Sequence, residues 1–277
     1  MSDLPPSVPG DEVLDAMLAK YPTLAHYADL HAYEVRNARW CLWSVLHSPR
    51  LRTHLTIVDG GLRLLMELAS GVCGDADIAE LKALATRQFN SSAASILLLL
   101  TGYYQCSFLL QRDVLETGFL LDYFWRNPGE VASWRVGGRP ARKHKYDPKQ
   151  IRCKLEKVDG VNRGKVYEKF CEYAAHPTPH KRLVVRGDTR YTGPMFDSRV
   201  MDHCLGELTM DLSYFAVVAG QALVGSAPAL RTDLERYMAL VKGWAHKALG
   251  LGLGDFGPKD MATWARRLWE PPPTTKP

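Results

Sequence analysis

Two stretches of the chain carry no formal charge. Residues 88–111 and 212–230 contain no Asp, Glu, Lys or Arg. A solvent-facing helix mixes apolar and charged residues, so runs of this length exclude ordinary surface helices. Crossing a bilayer takes ~20 predominantly apolar residues. The first run is diluted by Asn90, Ser91, Ser92, Ser95, Thr101, Gly102, Gln105 and Ser107, and the second by Ser213, Gln221, Ser226 and Pro228. Both therefore read as buried helices that pack together at the centre of a bundle, and no membrane partner is expected.

Closely spaced cysteines are also missing. The six cysteines stand at 41, 73, 106, 153, 171 and 204, with the nearest pair 18 apart and no C-x-x-C. Cys41, Cys106 and Cys171 fall in apolar helical patterns, where a free thiol behaves as a small hydrophobe. A reducing, cytoplasmic setting is expected, with no disulfide frame and no structural zinc. Residues 1–10 have neither a basic n-region nor an apolar h-region, so no secretory signal is expected. There is no G-x-x-x-x-G-K-[ST], H-E-x-x-H, G-x-S-x-G or EF-hand loop. The glycines at 250, 252 and 254 follow a helix and precede no strand, which makes them a cap and linker rather than a dinucleotide loop. No cofactor is expected.

What is present is mostly helical patterning. A chain of 277 residues, 46% hydrophobic and 23% charged, can bury a substantial core. The reading is an all-α, multi-helix bundle with two long buried central helices and one small β-hairpin near 182–192. It places one helical domain over 11–270, a flexible N-terminus at 1–10 and a disordered tail at 271–277. A short helix opens at Asp11, and a second runs from about Thr23 to His47. Ser48-Pro49 caps a third, which reaches Ala69 with an interruption at Gly60-Gly61. Asp77 and Glu80 read as a capping-box variant. A single central helix is expected from Ser91 to Arg126, ended by Asn127-Pro128-Gly129. Residues 137–140 read as loop, and Pro148–Val158 and Lys165–Ala175 as helices. Asp197 caps a long helix, followed by helices from Pro228 and over Pro258–Trp269.

Charge is concentrated rather than spread. Residues 135–157 hold nine Lys or Arg against Asp147 and Glu156, a net +7 where the whole chain is +5, so the remainder sums to −2. This basic insert follows the central helix, whose far end carries Arg112, Asp113 and Glu116. Arg112 and Glu116 are spaced i, i+4 and share a face. They read either as a structural ion pair or as an anion site in which Arg112 binds and Glu116 orients. Further on, Lys169, Glu172, Tyr173 and His176 share one side of a helix by their 3, 4 and 7 spacings. His176 sits on its last turn, as a capping residue or as a group that titrates near neutrality. In the insert, Arg139, Arg142, Lys143, Lys145, Lys149 and Arg152 are interleaved with Trp134 and Tyr146. Basic side chains with aromatic partners suit single-stranded nucleic acid, through phosphate contacts and stacking; a solvated loop is the alternative.

The order of these parts resembles a set of uncharacterised bacterial helical proteins related to the HEPN superfamily. The resemblance covers about residues 91–224. It rests on R-x-x-x-E at Arg112 and Glu116, the LDYFW stretch at 121–125, a polar insert, and Y-x-x-x-x-x-Y-x-x-H-P-T from Tyr167 to Thr178. It implies RNA binding and a metal-independent ribonuclease, with His176 as acid or base and an arginine stabilising phosphate charge. In HEPN ribonucleases an arginine precedes the histidine by four to six intervening residues. Here Lys169 stands at that place, which keeps the charge but loses the bidentate fork, and Arg112 would supply a guanidinium from another helix. Two other functions fit the residues. One is a non-enzymatic interaction protein whose basic segment docks a protein partner or a second copy. The other is a nucleotide or small-anion sensor built on Arg112 and Lys169.

Overall fold

The computed structural model describes residues 16, 20, 25–71, 73–172, 185–186, 189–190, 194–252, 254 and 258–269. Helices α1 (Ala25–His47), α2 (Pro49–Ala69), α3 (Ala76–Thr101) and α4 (Tyr104–Arg126) come first. The shorter α5 (Glu130–Val136), α6 (Arg139–Lys145), α7 (Pro148–Asp159) and α8 (Arg163–Phe170) follow. Then come α9 (Ser198–Leu223), a 3-10 turn at Pro228–Leu230, α10 (Arg231–Leu249) and α11 (Pro258–Trp269). The fold is an all-α bundle. Within 182–192 the described residues are two two-residue strands, Val185–Arg186 and Thr189–Arg190, antiparallel with Val185 opposite Arg190. The rest of that expected hairpin lies outside the described residues, as do the helix from Asp11 apart from Ala16, the stretch 173–176, the N-terminus 1–10 and the tail 271–277.

Side-chain caps set most helix starts. Ser48 Oγ accepts from the Leu51 N–H at 3.3 Å, with Pro49 in the first turn of α2. Asp75, not the expected box at Asp77, caps α3, accepting from the Asp77 and Ile78 N–H groups at 2.8 and 3.1 Å. Asp147 and Asp197 do the same for α7 and α9.

The expected continuous helix Ser91–Arg126 is broken, and its first part belongs to α3. The break is at Gly102, with φ +94°, where a Cβ would stand 2.4 Å from the Met195 carbonyl oxygen. That combination of a left-handed backbone and a close neighbour admits glycine alone. The chain then doubles back: Ser95 meets Ser107 (Oγ–Oγ 2.8 Å) and Ser91 meets Asp113, the pairing of an antiparallel helix pair. The charge-free run 88–111 is thus buried largely against itself. The Gly60-Gly61 interruption does not occur either. Helix α2 runs through it, because the missing side chains let Tyr237 of α10 pack there; a Cβ on Gly61 would lie 2.7 Å from the Tyr237 hydroxyl.

Helix α9 is the centre. Every residue from Asp211 to Gly220 is buried, and α9 packs against α2, α3, α4 and α10. Phe119 of α4 meets Phe215 of α9 edge to face at 5.4 Å. Each fully buried side chain of this kind contributes about 1.5–3 kcal/mol. Tyr104, Phe215 and Val218 in the charge-free runs, and Leu115 and Phe119 just beyond the first, are buried as a central helix packing implies, and Leu100 is partly buried. Leu97 is not. It is 62% exposed, while Leu99 is fully buried, because the inward stripe of α3 runs through Leu81, Leu84, Gln88, Ser92, Ser95 and Leu99. The insert also differs from expectation: it is helical except at Gly137-Gly138 and Tyr146-Asp147, and Arg139–Lys145 is helix α6 rather than loop. Cys41, Cys171 and Cys204 are buried free thiols, whereas Cys106 faces out. No helix among the described residues is long and apolar enough to cross a membrane.

Candidate functional site

Helices α4, α7 and α8 pack on one another, and four side chains meet where they do. Arg112 and Glu116 stand one turn apart on α4, Arg152 comes from the buried side of α7, and Tyr167 from α8. Arg112 donates to Glu116 Oε1 through Nε and Nη2, each at 3.2 Å. The Tyr167 hydroxyl donates to the same oxygen at 2.8 Å. Both guanidiniums lie against the Tyr167 ring, Arg112 with Cζ 5.0 Å from the centroid and Arg152 with Cζ at 3.8 Å. These are cation–π distances.

The electrostatics are uneven. Arg112 and Glu116 are partly open to solvent, with 32% and 22% of their side chains exposed. Burial, assisted by Glu116, pushes the Tyr167 hydroxyl up to about 12, so it stays a neutral donor. Burial opposes the charge on Arg112, but Tyr167 and Glu116 outweigh it and its pKa is raised. Arg152 is different. It is 9% exposed, its Nη1 has no hydrogen-bond partner, and no carboxylate pairs with it among the described residues. Beside this cluster Asp113 is already occupied by Arg87 and Ser91, which ties α3 to α4.

The structure thus brings together three predicted residues, Arg112, Glu116 and Arg152, and separates a fourth. Lys169 is two residues from Tyr167, about 200° round the helix, so it leaves from the opposite side of α8. There it pairs with Glu207 of α9, next to His203. It borders a separate groove of about 590 Å³ between α8, α9 and α11, walled by Lys165, Met210, Arg267 and Trp269. His176 lies outside the described residues.

The basic insert is partly used up internally. Arg135 pairs with Asp77 and Lys145 with Glu130. Lys154 donates to the Lys145 carbonyl at 2.8 Å and lies over the Tyr123 ring. Arg139 and Arg142 lie on α6, but their side chains are outside the described residues. Lys143, Lys149 and Lys157 are exposed and make no ion pair among the described residues. The two aromatics expected to stack on bases are turned inward. Tyr146 is 8% exposed and donates to Glu130 Oε2 at 2.7 Å. Trp134 is packed on Phe124, with ring centroids 5.5 Å apart. Their neighbours in sequence are cations, but their helical positions place the rings on the inner side.

Sequence reasoning missed the most buried charges. Arg163 donates to Asp159 Oδ1 and Oδ2 at 2.7 Å each and reaches Asp122 Oδ2 at 3.3 Å. Arg126 bridges the same two acids at 2.7 and 3.1 Å, and Tyr214 donates to Asp122 at 3.0 Å. All four charged side chains are 9% exposed or less. Two cations against two anions sum to zero, so the cluster is a charge-neutral clamp joining α4, α7, α8 and α9, with Arg163 Nε left without a hydrogen-bond partner among the described residues. Its signal was a repeated D-x-x-x-R spacing, Asp122–Arg126 and Asp159–Arg163. Tyr167 was also missed as a site residue. No group of three potential metal ligands occurs among the described residues.

No protein-family model, no curated protein and no solved structure gives a significant match to this chain.

Proposed function

We propose that this protein binds single-stranded RNA and seats a backbone phosphate against Arg152 and Arg112 on the Tyr167 ring. The observation that carries the reading is the buried Arg152 guanidinium, which lies on the Tyr167 ring and has no counter-ion among the described residues. A buried cation without a partner is costly, and a bound anion supplies the partner. Guanidinium is suited to the task, since its planar fork matches two phosphate oxygens. Glu116 and Tyr167 hold Arg112 in place. The exposed Lys143, Lys149 and Lys157 on the neighbouring α6 and α7 add the diffuse positive field that draws in a polyanion. The proposal stops at binding, because the His176 that would move a proton is outside the described residues.

The experiment is fluorescence anisotropy of a labelled single-stranded RNA at two salt concentrations. Arg112→Gln and Arg152→Gln should each weaken binding. Parent-like affinity in both would remove the site from the account. A second reading, a protein-docking role, is favoured by α1. Trp40 and Trp43 are 53% and 54% exposed there, with rings edge to face at 5.9 Å. A defined complex that Trp40→Ala dissolves, in a protein that ignores RNA, would move the function to that surface.

A further inference from the structure

The charges around Tyr167 define which phosphate fits, and the argument rests on the phosphate reading above. From α4 come Arg112 and Glu116, already paired with each other. From α3 comes Arg87, which is held by Asp113 of α4. Tyr167 of α8 is a neutral donor to Glu116, and Cys171, which caps the end of that helix, is a buried thiol close enough to be felt by Arg112. Lys169 points away to Glu207. Among the described residues this leaves one positive charge at the site with no carboxylate paired to it, that of Arg152 of α7.

We infer that the Arg112–Arg152–Tyr167 site is built for a single negative charge, the internal phosphodiester of an RNA strand, and discriminates against a terminal phosphate. A diester monoanion against Arg152 brings the pocket to neutrality. A terminal phosphate carries close to two negative charges at neutral pH, its second ionisation lying near about 6. It would leave one charge over, in a half-buried place, beside the Glu116 carboxylate. Excess charge in such surroundings is opposed by desolvation and by repulsion. Releasing Arg112 from Glu116 to meet the second charge does not help, because Glu116 would then lose its cation. The site should therefore engage the strand between its ends.

The test uses the full chain and one short oligoribonucleotide in two forms, with a 5′-hydroxyl and with a 5′-phosphate. Binding is followed by anisotropy and by the NMR signal of the Arg152 Nε–H, assigned by its loss in Arg152→Lys. Both forms should shift that signal, bind equally well, and keep the same ratio from about pH 5 to about pH 7.5, across the second ionisation of the terminal phosphate. Tighter binding of the 5′-phosphate form, with an advantage that grows as pH rises through that ionisation, would overturn the monoanion assignment and leave the phosphate site standing. An Arg152 signal that neither form moves would overturn the phosphate reading itself, and the assignment with it.

Discussion

Substituting Arg163 by methionine should destabilise the protein strongly. Methionine keeps the stem volume but removes the guanidinium from a side chain that is fully buried. Among the described residues Arg126 is then the one cation left for Asp122 and Asp159, both 2% exposed or less. Breaking a buried ion pair from one side costs about 3–5 kcal/mol, since a carboxylate is left uncompensated. Unfolding entropy near ~2.1 cal/mol/K per residue gives ~0.6 kcal/mol/K for 277 residues, so the melting midpoint should fall by roughly 5–9 °C. Adding Asp122→Asn should recover part of the loss, because Arg126 and Asp159 then balance. The pH dependence has a definite sign. Burial opposes ionisation of Asp159, but its bonds to Arg163 outweigh that and hold its pKa below the usual carboxylate range. The stability it contributes is therefore present above the unfolded pKa and is lost as pH falls through the folded value. In Arg163→Met that acid-side loss should shrink. Differential scanning calorimetry of parent, single and double variants measures all of this. A single variant within a degree or two of the parent, or a double variant less stable than the single, would refute the clamp.

Leu99→Asp should cost several kcal/mol by burying an unpaired charge, while Leu97→Asp, at a position 62% exposed, should leave the denaturation midpoint nearly unchanged. Asp211 is 1% exposed, accepts one hydrogen bond from the Trp269 indole at 3.0 Å, and burial raises its pKa well above the usual value. Its contribution is present below the unfolded pKa and is lost as pH rises toward the folded value, so Asp211→Asn should remove a fall in stability on the alkaline side of pH 4, seen in urea titrations at stepped pH. Replacing Lys143, Lys149 and Lys157 together by Gln should spare folding and lower the salt slope of RNA binding by about 2, at ~0.7 per phosphate contact to a single strand.

Much of the fold was legible because burial writes itself into composition. The charge-free runs located α9 and the buried stretch that spans the end of α3 and the start of α4, though as one helix, and Asp and Ser caps marked helix starts. The break at Gly102 was not legible, since a glycine inside an apolar run announces neither its φ nor the approach of Met195 from 93 residues away. Helix α6 was hidden for a related reason: Gly137, Gly138 and Pro140 suggest a loop, yet proline is tolerated in a first helical turn. For the site, the i, i+4 pair Arg112–Glu116 was readable from spacing alone. Its completion by Arg152 and Tyr167 depends on how α7 and α8 dock on α4, which spacing does not encode. The same docking turned Tyr146 and Trp134 inward and took Lys169 to Glu207.

The central claim is that Arg152 is kept for an anion rather than for the fold. Arg152→Met tests it most directly, with melting temperature and RNA affinity measured on the same sample. Methionine fills the space along Tyr167 and removes a buried charge that no carboxylate among the described residues balances. Replacing a poorly compensated buried charge by an apolar side chain is neutral or stabilising, and residues held for function commonly cost stability. The account predicts an unchanged or higher melting temperature together with loss of RNA binding. A melting temperature several degrees lower with RNA affinity intact would contradict it and make Arg152 a structural residue.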